Sequence, residues 1–200
     1  VVHAIVGASA RNATSAGGDV VTVVGSHLGP PGSIVVGRYG PAGGAPTLVA
    51  RSCEVFVHRD LDERGRARAR PAARCVLSTG GGAELKWTLD VGGQRSAPSD
   101  AFVSYAPSTL RRVETEASAK RPTSGGFQLP LHGANLGSKG LTTVTITRRS
   151  DGPATDCATA PTAAHRVCQV SSSSPDHTTL RCIAPALFGE VDVAVCVAGV

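Results

Sequence analysis

A motif that occurs twice constrains this chain more than any other feature. The first copy spans Gly17–Gly29 and the second spans Gly125–Gly137. Each begins with Gly-Gly, continues through six residues typical of a β-strand, and ends with Gly-x-x-Leu-Gly. The copies start 108 residues apart, which is the size of a whole domain rather than of a solenoid unit. We therefore predict two consecutive domains, 1–106 and 107–200.

The residue types within the motif indicate its local structure. A Gly-Gly pair supplies backbone freedom that residues with a Cβ lack, so it predicts a turn before each strand. The closing Gly-x-x-Leu-Gly predicts a tight bend that places one leucine in the core of each domain, namely Leu28 and Leu136.

Alternating apolar and polar residues indicate that both domains are built from strands. In the clearest case, four apolar residues alternate with polar ones and predict a strand with one solvated face: Leu85, Trp87, Leu89 and Val91. About seven short strands per domain, with no helical period, favour an all-β fold of two tandem β-sandwiches. Pro107 leaves little slack at the junction, so we expect a stiff joint and domains laid end to end. The second copy reaches Val200 without a counterpart of the strand at Phe102–Tyr105, so we expect it to lack its last strand and the chain to be part of a longer one.

Two glycine- or arginine-rich stretches predict loops. Residues 37–46 predict a Gly/Pro loop, and residues 58–74 predict a long polar surface loop. The net charge of +5 comes from 17 Arg and 3 Lys against 15 acidic residues. Four arginines of the second loop are candidate partner contacts, although a solvated loop partly neutralised by nearby acidic residues is the simpler interpretation: Arg64, Arg66, Arg68 and Arg70. Because no aromatic residues are interleaved with them, we expect no nucleic acid partner.

The six cysteines predict a disulfide in each domain. Cys53 and Cys75 bracket a segment between two predicted strands, and Cys168 and Cys182 recur at the matching place. This recurrence favours the pairings 53–75 and 168–182. Cys196 faces outward on its predicted strand, and Cys157 is its expected partner. Zinc binding is the alternative, but no Cys-x-x-Cys spacing occurs, so we expect no metal and an oxidising compartment.

Few residues predict covalent chemistry or modification. Asn12 opens the sequence Asn-Ala-Thr, an acceptor for N-glycosylation, in a predicted turn. The six histidines are isolated in the sequence, with no grouping of nucleophile, base and orienting residue. We therefore expect no catalytic residues, no cofactor and no enzymatic activity. No stretch is long and apolar enough to predict a membrane span, and we expect no membrane contact by this segment.

The order of these features resembles the IPT/TIG domain. The first copy is similar to the family pattern in four places: the motif at Gly17–Gly29, Cys53-x-Val55 with the second cysteine Cys75, Val91–Ser96, and Phe102–Pro107. The second copy departs from the pattern with Pro130 inside its strand, which suggests an edge or bulged position, and with Cys157 and Cys196. The resemblance implies an immunoglobulin-like sandwich, as in plexins, Rel-type transcription factors and repeat-rich surface proteins such as fibrocystin.

The resemblance leaves three functions open, because the family includes receptors, DNA-binding proteins and accessory modules of enzymes. The first is an extracellular structural or adhesion module in a tandem array of a cell-surface or ciliary-surface glycoprotein, which contacts other protein chains or acts as a spacer. The second is a Rel-like DNA-binding domain, for which no base-reading loop is evident. The third is an accessory domain of a secreted polysaccharide-active enzyme.

Overall fold

The computed structural model describes residues 1–61, 64–114, 121–151 and 165–197. The chain divides into two compact units, Val1–Ala106 (unit 1) and Pro107–Val200 (unit 2). Named strands pair antiparallel throughout the described part of the chain, which contains no α-helix. The prediction of an all-β fold of antiparallel, immunoglobulin-like sandwiches is confirmed.

Unit 1 is a sandwich of two antiparallel sheets. Its strands are β1 (Val2–Val6), β2 (Val20–Gly25), β3 (Val36–Gly40), β4 (Leu48–Val49), β5 (Ser52–Leu61), β6 (Ala67–Val76), β7 (Leu85–Val91), β8 (Gln94–Arg95) and β9 (Phe102–Val103). One sheet has the order β1-β2-β6-β5. The other has the order β4-β3-β7-β8, and β9 also pairs with β7.

An aromatic cluster fills the centre of unit 1. Tyr39 on β3 lies directly opposite Trp87 on β7, and their rings stack with centroids 4.7 Å apart. Tyr105 reaches the same place, where its hydroxyl lies 2.8 Å from that of Tyr39 and donates to the Ser78 carbonyl at 2.7 Å. Burial, and after it the nearby Tyr39 hydroxyl, raise the pKa of Tyr105 well above its usual range, so the phenol stays neutral.

Unit 2 forms one sheet that folds over itself. Its strands are β10 (Thr109–Val113), β11 (Gln128–Ala134), β12 (Thr142–Arg148), β13 (His165–Ser173), β14 (Thr179–Ile183) and β15 (Val191–Val197), in the order β10-β11-β14-β13-β12-β15. Residues 165–168 of β13 pair with β12, and residues 169–173 pair with β14, where the register shifts between Val170 and Ser172. Such a strand joins two layers at a corner. Leu131, Leu180 and Val144 are fully buried between these layers.

The repeated motif has nearly the same backbone in both units. Its first glycine has φ of 73° in each copy, and its second has 88° and 81°. The second glycine donates to the opposite strand end at 2.9 Å in both, to Leu77 in unit 1 and to Ala184 in unit 2. Leu28 and Leu136 are almost wholly buried, as the motif predicts.

Two local expectations were wrong. Residues 37–40 of the predicted Gly/Pro loop form β3, because Tyr39 stacks on Trp87 and Gly37 leaves room for the Trp87 ring and the Cys53 sulfur. Pro130 lies on β11, an interior strand between β10 and β14. The backbone N–H of Glu114, just beyond the end of β10, donates to the Pro130 carbonyl at 2.8 Å. The missing N–H of Pro130 therefore faces the end of its neighbour, where little pairing is lost.

The predicted arginine-rich loop at residues 58–74 is also wrong, because the segment is part of a β-hairpin. Strands β5 and β6 pair in register from Ser52↔Val76 to Leu61↔Ala67. The sequence suggested a loop because charged residues outnumber the large apolar residues of the hairpin end, and no side of it is buried. The backbone needs no core here, since the two strands satisfy each other's hydrogen bonds.

Candidate functional site

A disulfide anchors the β5–β6 hairpin in unit 1. Cys53 lies directly opposite Cys75, both sulfurs are buried, and the S–S bond is formed. Unit 2 has the matching bond between Cys168 on β13 and Cys182 on β14, with Cα atoms 5.5 Å apart. Each bond joins neighbouring strands of one sheet within a single unit.

The structure describes only one of the other two cysteines. Cys196, half-buried on β15, is disulfide-bonded. Its predicted partner, Cys157, lies outside the described residues. No cysteine among the described residues carries a free thiol.

The β5–β6 hairpin extends beyond the core of unit 1. Val55 and Ala73 are the last directly opposite pair with both side chains buried on the core face. Six more pairs follow, up to Leu61↔Ala67. At roughly 3.4 Å per residue, they continue for about 20 Å past this pair. The hairpin end, residues 57–61 and 64–71, is therefore available as a contact surface.

The two faces of the hairpin end differ in chemistry. Since residues directly opposite share a face, the core side continues as an exposed apolar strip of Val57, Pro71 and Leu61 with the small Ala67 and Ala69. Leu61 is 70% exposed, although Arg59 adds one charge among these residues.

The opposite face of the hairpin end is charged. His58 and Asp60 on β5 lie opposite Arg70 and Arg68 on β6, and Asp60 forms an ion pair with Arg70. Nearer the core, the Arg74 guanidinium lies 5.3 Å from the centre of the Phe56 ring.

The four candidate arginines lie in two different environments. Arg70 is held by Asp60, and Arg68 is exposed on the same face. Arg64 and Arg66 are exposed in the turn region of the hairpin and take part in contacts of their own. Sequence reasoning missed Phe56 and the cross-strand pairing of Asp60 with Arg70. The signal available was the alternation Arg-Ala-Arg-Ala-Arg at residues 66–70, which is a strand period.

A second charged cluster joins three strands on the surface of unit 1. Asp90 on β7 accepts from Arg38 on β3 at 2.9 Å and from Arg95 on β8 at 2.7 Å. Hydrogen bonds from Arg95 and Arg38 lower the pKa of Asp90 from 3.8 to about 2.

Replacing Asp90 with asparagine is expected to weaken the acid dependence of unit 1 stability. The contribution of a carboxylate with a lowered pKa is present above its unfolded pKa of about 3.9 and disappears as the pH falls through its folded pKa. The difference in unfolding free energy between wild type and Asp90→Asn should therefore shrink as the pH falls from about 4 to about 2. Urea titrations followed by Trp87 fluorescence measure it. Asp100→Asn, an exposed position in the same unit, is the control, and a difference that stays constant over this range would contradict the assignment.

The glycosylation acceptor Asn12 lies in an exposed bend of unit 1. Thr14 is the third residue of this Asn-x-Thr sequence. Its hydroxyl and its backbone N–H each donate to the Asp19 carboxylate at 2.7 Å. The Asn12 side chain is therefore accessible next to a fixed turn.

Neither a group of metal ligands nor a membrane-spanning helix occurs in the described part of the chain. Within the described ranges, no three His, Cys, Asp or Glu side chains are grouped so that they could hold a metal ion. Among those same residues, no helix has the length and apolar character needed to cross a membrane.

Comparison with known proteins gives a distant similarity. No protein-family model matches the chain, and no curated protein matches it. Two similar solved structures are of the plexin A4 extracellular region. The one of domains 1 to 10 is 18% identical with a TM-score of 0.33 over 94% of this chain. The one of domains 1 to 8 is 17% identical with a TM-score of 0.36 over 98% of this chain. The chain spans only 13% and 17% of their lengths, and at these values the similarity supports no statement about function.

Proposed function

We propose that the chain is an extracellular, non-catalytic module that contacts other protein chains or sets the spacing between neighbouring domains. The observation that carries the proposal is the disulfide within each unit, Cys53–Cys75 and Cys168–Cys182. Disulfides that join buried positions form and persist in oxidising compartments and are rare in the cytosol. The exposed Asn12 is compatible with passage through the secretory pathway.

The finer form of the proposal is a tandem pair of IPT/TIG-type domains in the array of a cell-surface or ciliary-surface glycoprotein. The motif of Gly-Gly and Gly-x-x-Leu-Gly has nearly the same backbone in both units, which supports two copies of one domain type. The proposal includes no cofactor, nucleic acid partner or membrane contact by this segment.

The β5–β6 hairpin end is the contact element that we propose within this module. It has an apolar strip on one face, Arg68 and the Asp60–Arg70 pair on the other, and a disulfide at its base. A hairpin anchored in this way presents its residues without first paying a large ordering entropy, which favours binding.

Labelling of intact cells that express the full-length natural protein tests the proposed location. An antibody against unit 1 is expected to label the cells without permeabilisation. A cytosolic protein serves as the control for membrane integrity. Labelling that requires permeabilisation in every condition would refute an extracellular role.

A further inference from the structure

Strand β5 is the outer strand of its sheet, and an extended segment covers its edge only near the core. The Val55 N–H donates to the Ser33 carbonyl at 2.9 Å, and the Gly32 N–H donates to the Val55 carbonyl at 2.8 Å. The covering segment turns away at this point, where the Ser33 N–H donates back to the Pro30 carbonyl at 3.1 Å. Pro31 in this turn has no N–H with which to continue the pairing.

The next three outward-facing positions of β5 form an open edge. In an antiparallel pair, alternate residues of a strand bond to the partner strand, and the residues between them point their N–H and C=O groups outwards. Val55 points outwards, and the register of β5 with β6 is unbroken up to Leu61↔Ala67. Val57, Arg59 and Leu61 therefore point outwards as well. Within the described ranges, no backbone group pairs with the outward N–H and C=O groups of these three residues.

The side chains at this edge form an apolar surface with one cation in its middle. Val57 and Leu61 are 47% and 70% exposed, and Arg59 lies between them on the same face. A hollow of about 210 Å³ adjoins Val57, and its walls include Pro31 and Pro71. Arg59 is exposed, and no acidic side chain among the described residues pairs with it. An added strand would place one side chain directly beside each of Val57, Arg59 and Leu61.

We propose that the edge of β5 at residues 57–61 binds an extended acidic segment of a partner protein as one more antiparallel strand. The residue of this segment beside Arg59 is Asp or Glu, and the residues two positions away on either side are apolar. The apolar residue beside Val57 fills the hollow. Main-chain hydrogen bonds supply affinity, and the ion pair and the hollow select the sequence. This assignment rests on the proposed contact role of the hairpin end.

A second copy of this chain fits the edge less well than an acidic partner. Two β5 strands paired antiparallel about Arg59 would match Val57 with Leu61. The same pairing would place the two Arg59 side chains directly opposite each other, and like charges in that position are destabilising. Charge complementarity therefore favours a partner of opposite charge over self-association.

Residue-resolved hydrogen exchange of the 200-residue protein tests the edge and its ligand together. In the free protein, the amides of Val57, Arg59 and Leu61 should exchange faster than those of His58 and Asp60, which face β6. The probe is the peptide Thr-Val-Thr-Glu-Thr-Val-Thr with blocked ends. At about 1 mM, it should slow exchange of the three outward amides at least about fivefold, whereas the same peptide with lysine in place of glutamate should slow it less than about twofold.

A charge exchange gives a second readout that does not depend on the absolute affinity. Arg59 is exposed, so an Arg59→Glu protein should fold, and it should prefer the lysine peptide to the glutamate peptide. If this variant does not fold, the comparison of the two peptides decides alone.

Three results would overturn the proposal: no protection by the glutamate peptide, equal protection by both peptides, or a preference that does not reverse in folded Arg59→Glu. Outward amides that are already protected in the free protein, and more so at higher protein concentration, would assign the edge to a second copy and overturn it as well. The assay uses purified protein, so its outcome is separate from the cell labelling that tests the extracellular location.

Discussion

Trp87→Ala is expected to bring unit 1 close to unfolding while unit 2 remains folded. Trp87 is fully buried and stacks on Tyr39, so its removal leaves a cavity between the two sheets. Truncation of a buried tryptophan to alanine costs about 3–5 kcal/mol. Since small domains are stable by only about 5–15 kcal/mol, most of the stability of unit 1 would be lost.

The chain offers a selective measurement of this effect. Both tyrosines, Tyr39 and Tyr105, lie in unit 1, so tyrosine circular dichroism in the near ultraviolet follows this unit alone during urea unfolding. Val36→Ala on the adjacent strand, where the side chain is 40% exposed, is the control and should change the unfolding free energy by less than about 0.5 kcal/mol. A Trp87→Ala variant no less stable than Val36→Ala would contradict the described core.

Gly17→Ala is expected to destabilise unit 1 far more than Gly18→Ala, although the two residues are neighbours in one turn. Both have positive φ, so an alanine at either position costs about 1–2 kcal/mol of backbone strain. A Cβ at Gly17 would also lie 2.5 Å from the Ser78 carbonyl carbon, whereas a Cβ at Gly18 meets nothing closer than 4.0 Å. Because the Ser78 contact is to backbone, no side chain can rotate away, and we expect a further cost of about 1–3 kcal/mol.

The repeat predicts the same contrast in unit 2. A Cβ at Gly125 would lie 2.5 Å from the Pro185 carbonyl carbon, and one at Gly126 meets nothing within 4 Å. Urea titrations of all four alanine variants measure the effect, with Trp87 fluorescence for unit 1 and exchange of the β11 amides for unit 2. Equal losses at Gly17 and Gly18, or at Gly125 and Gly126, would mean that these turns do not approach the opposite strand as described.

Sequence reasoning correctly predicted the repeated glycine motif and the strand in which apolar and polar residues alternate. The motif glycines, Leu28 and Leu136 were assigned correctly because a left-handed turn and a buried leucine each need a particular residue type. The strand at Leu85–Val91 was recognisable because one of its faces is apolar.

The parts that failed depend on contacts far apart in the sequence. Strand β3 contains two glycines that suggest a loop, and only the ring of Trp87, about 50 residues away, shows why Gly37 belongs in a strand. The hairpin end packs against no core, so its many charged residues suggested a loop.

Peptide mapping without reduction tests most directly whether the chain consists of two consecutive sandwiches, each with its own disulfide. Trypsin cuts after the arginines that separate Cys53 from Cys75, and also after Arg51 and Lys86. Residues 52–59 and 75–86 should therefore leave the denatured, alkylated protein as one disulfide-linked pair. Residues 167–181 should leave joined to residues 182–200, and chymotryptic cleavage after Phe188 then separates Cys182 from Cys196, whose expected partner is Cys157. Alkylated Cys53, Cys75, Cys168 or Cys182, or a bond that links a cysteine of unit 1 to one of unit 2, would contradict the account.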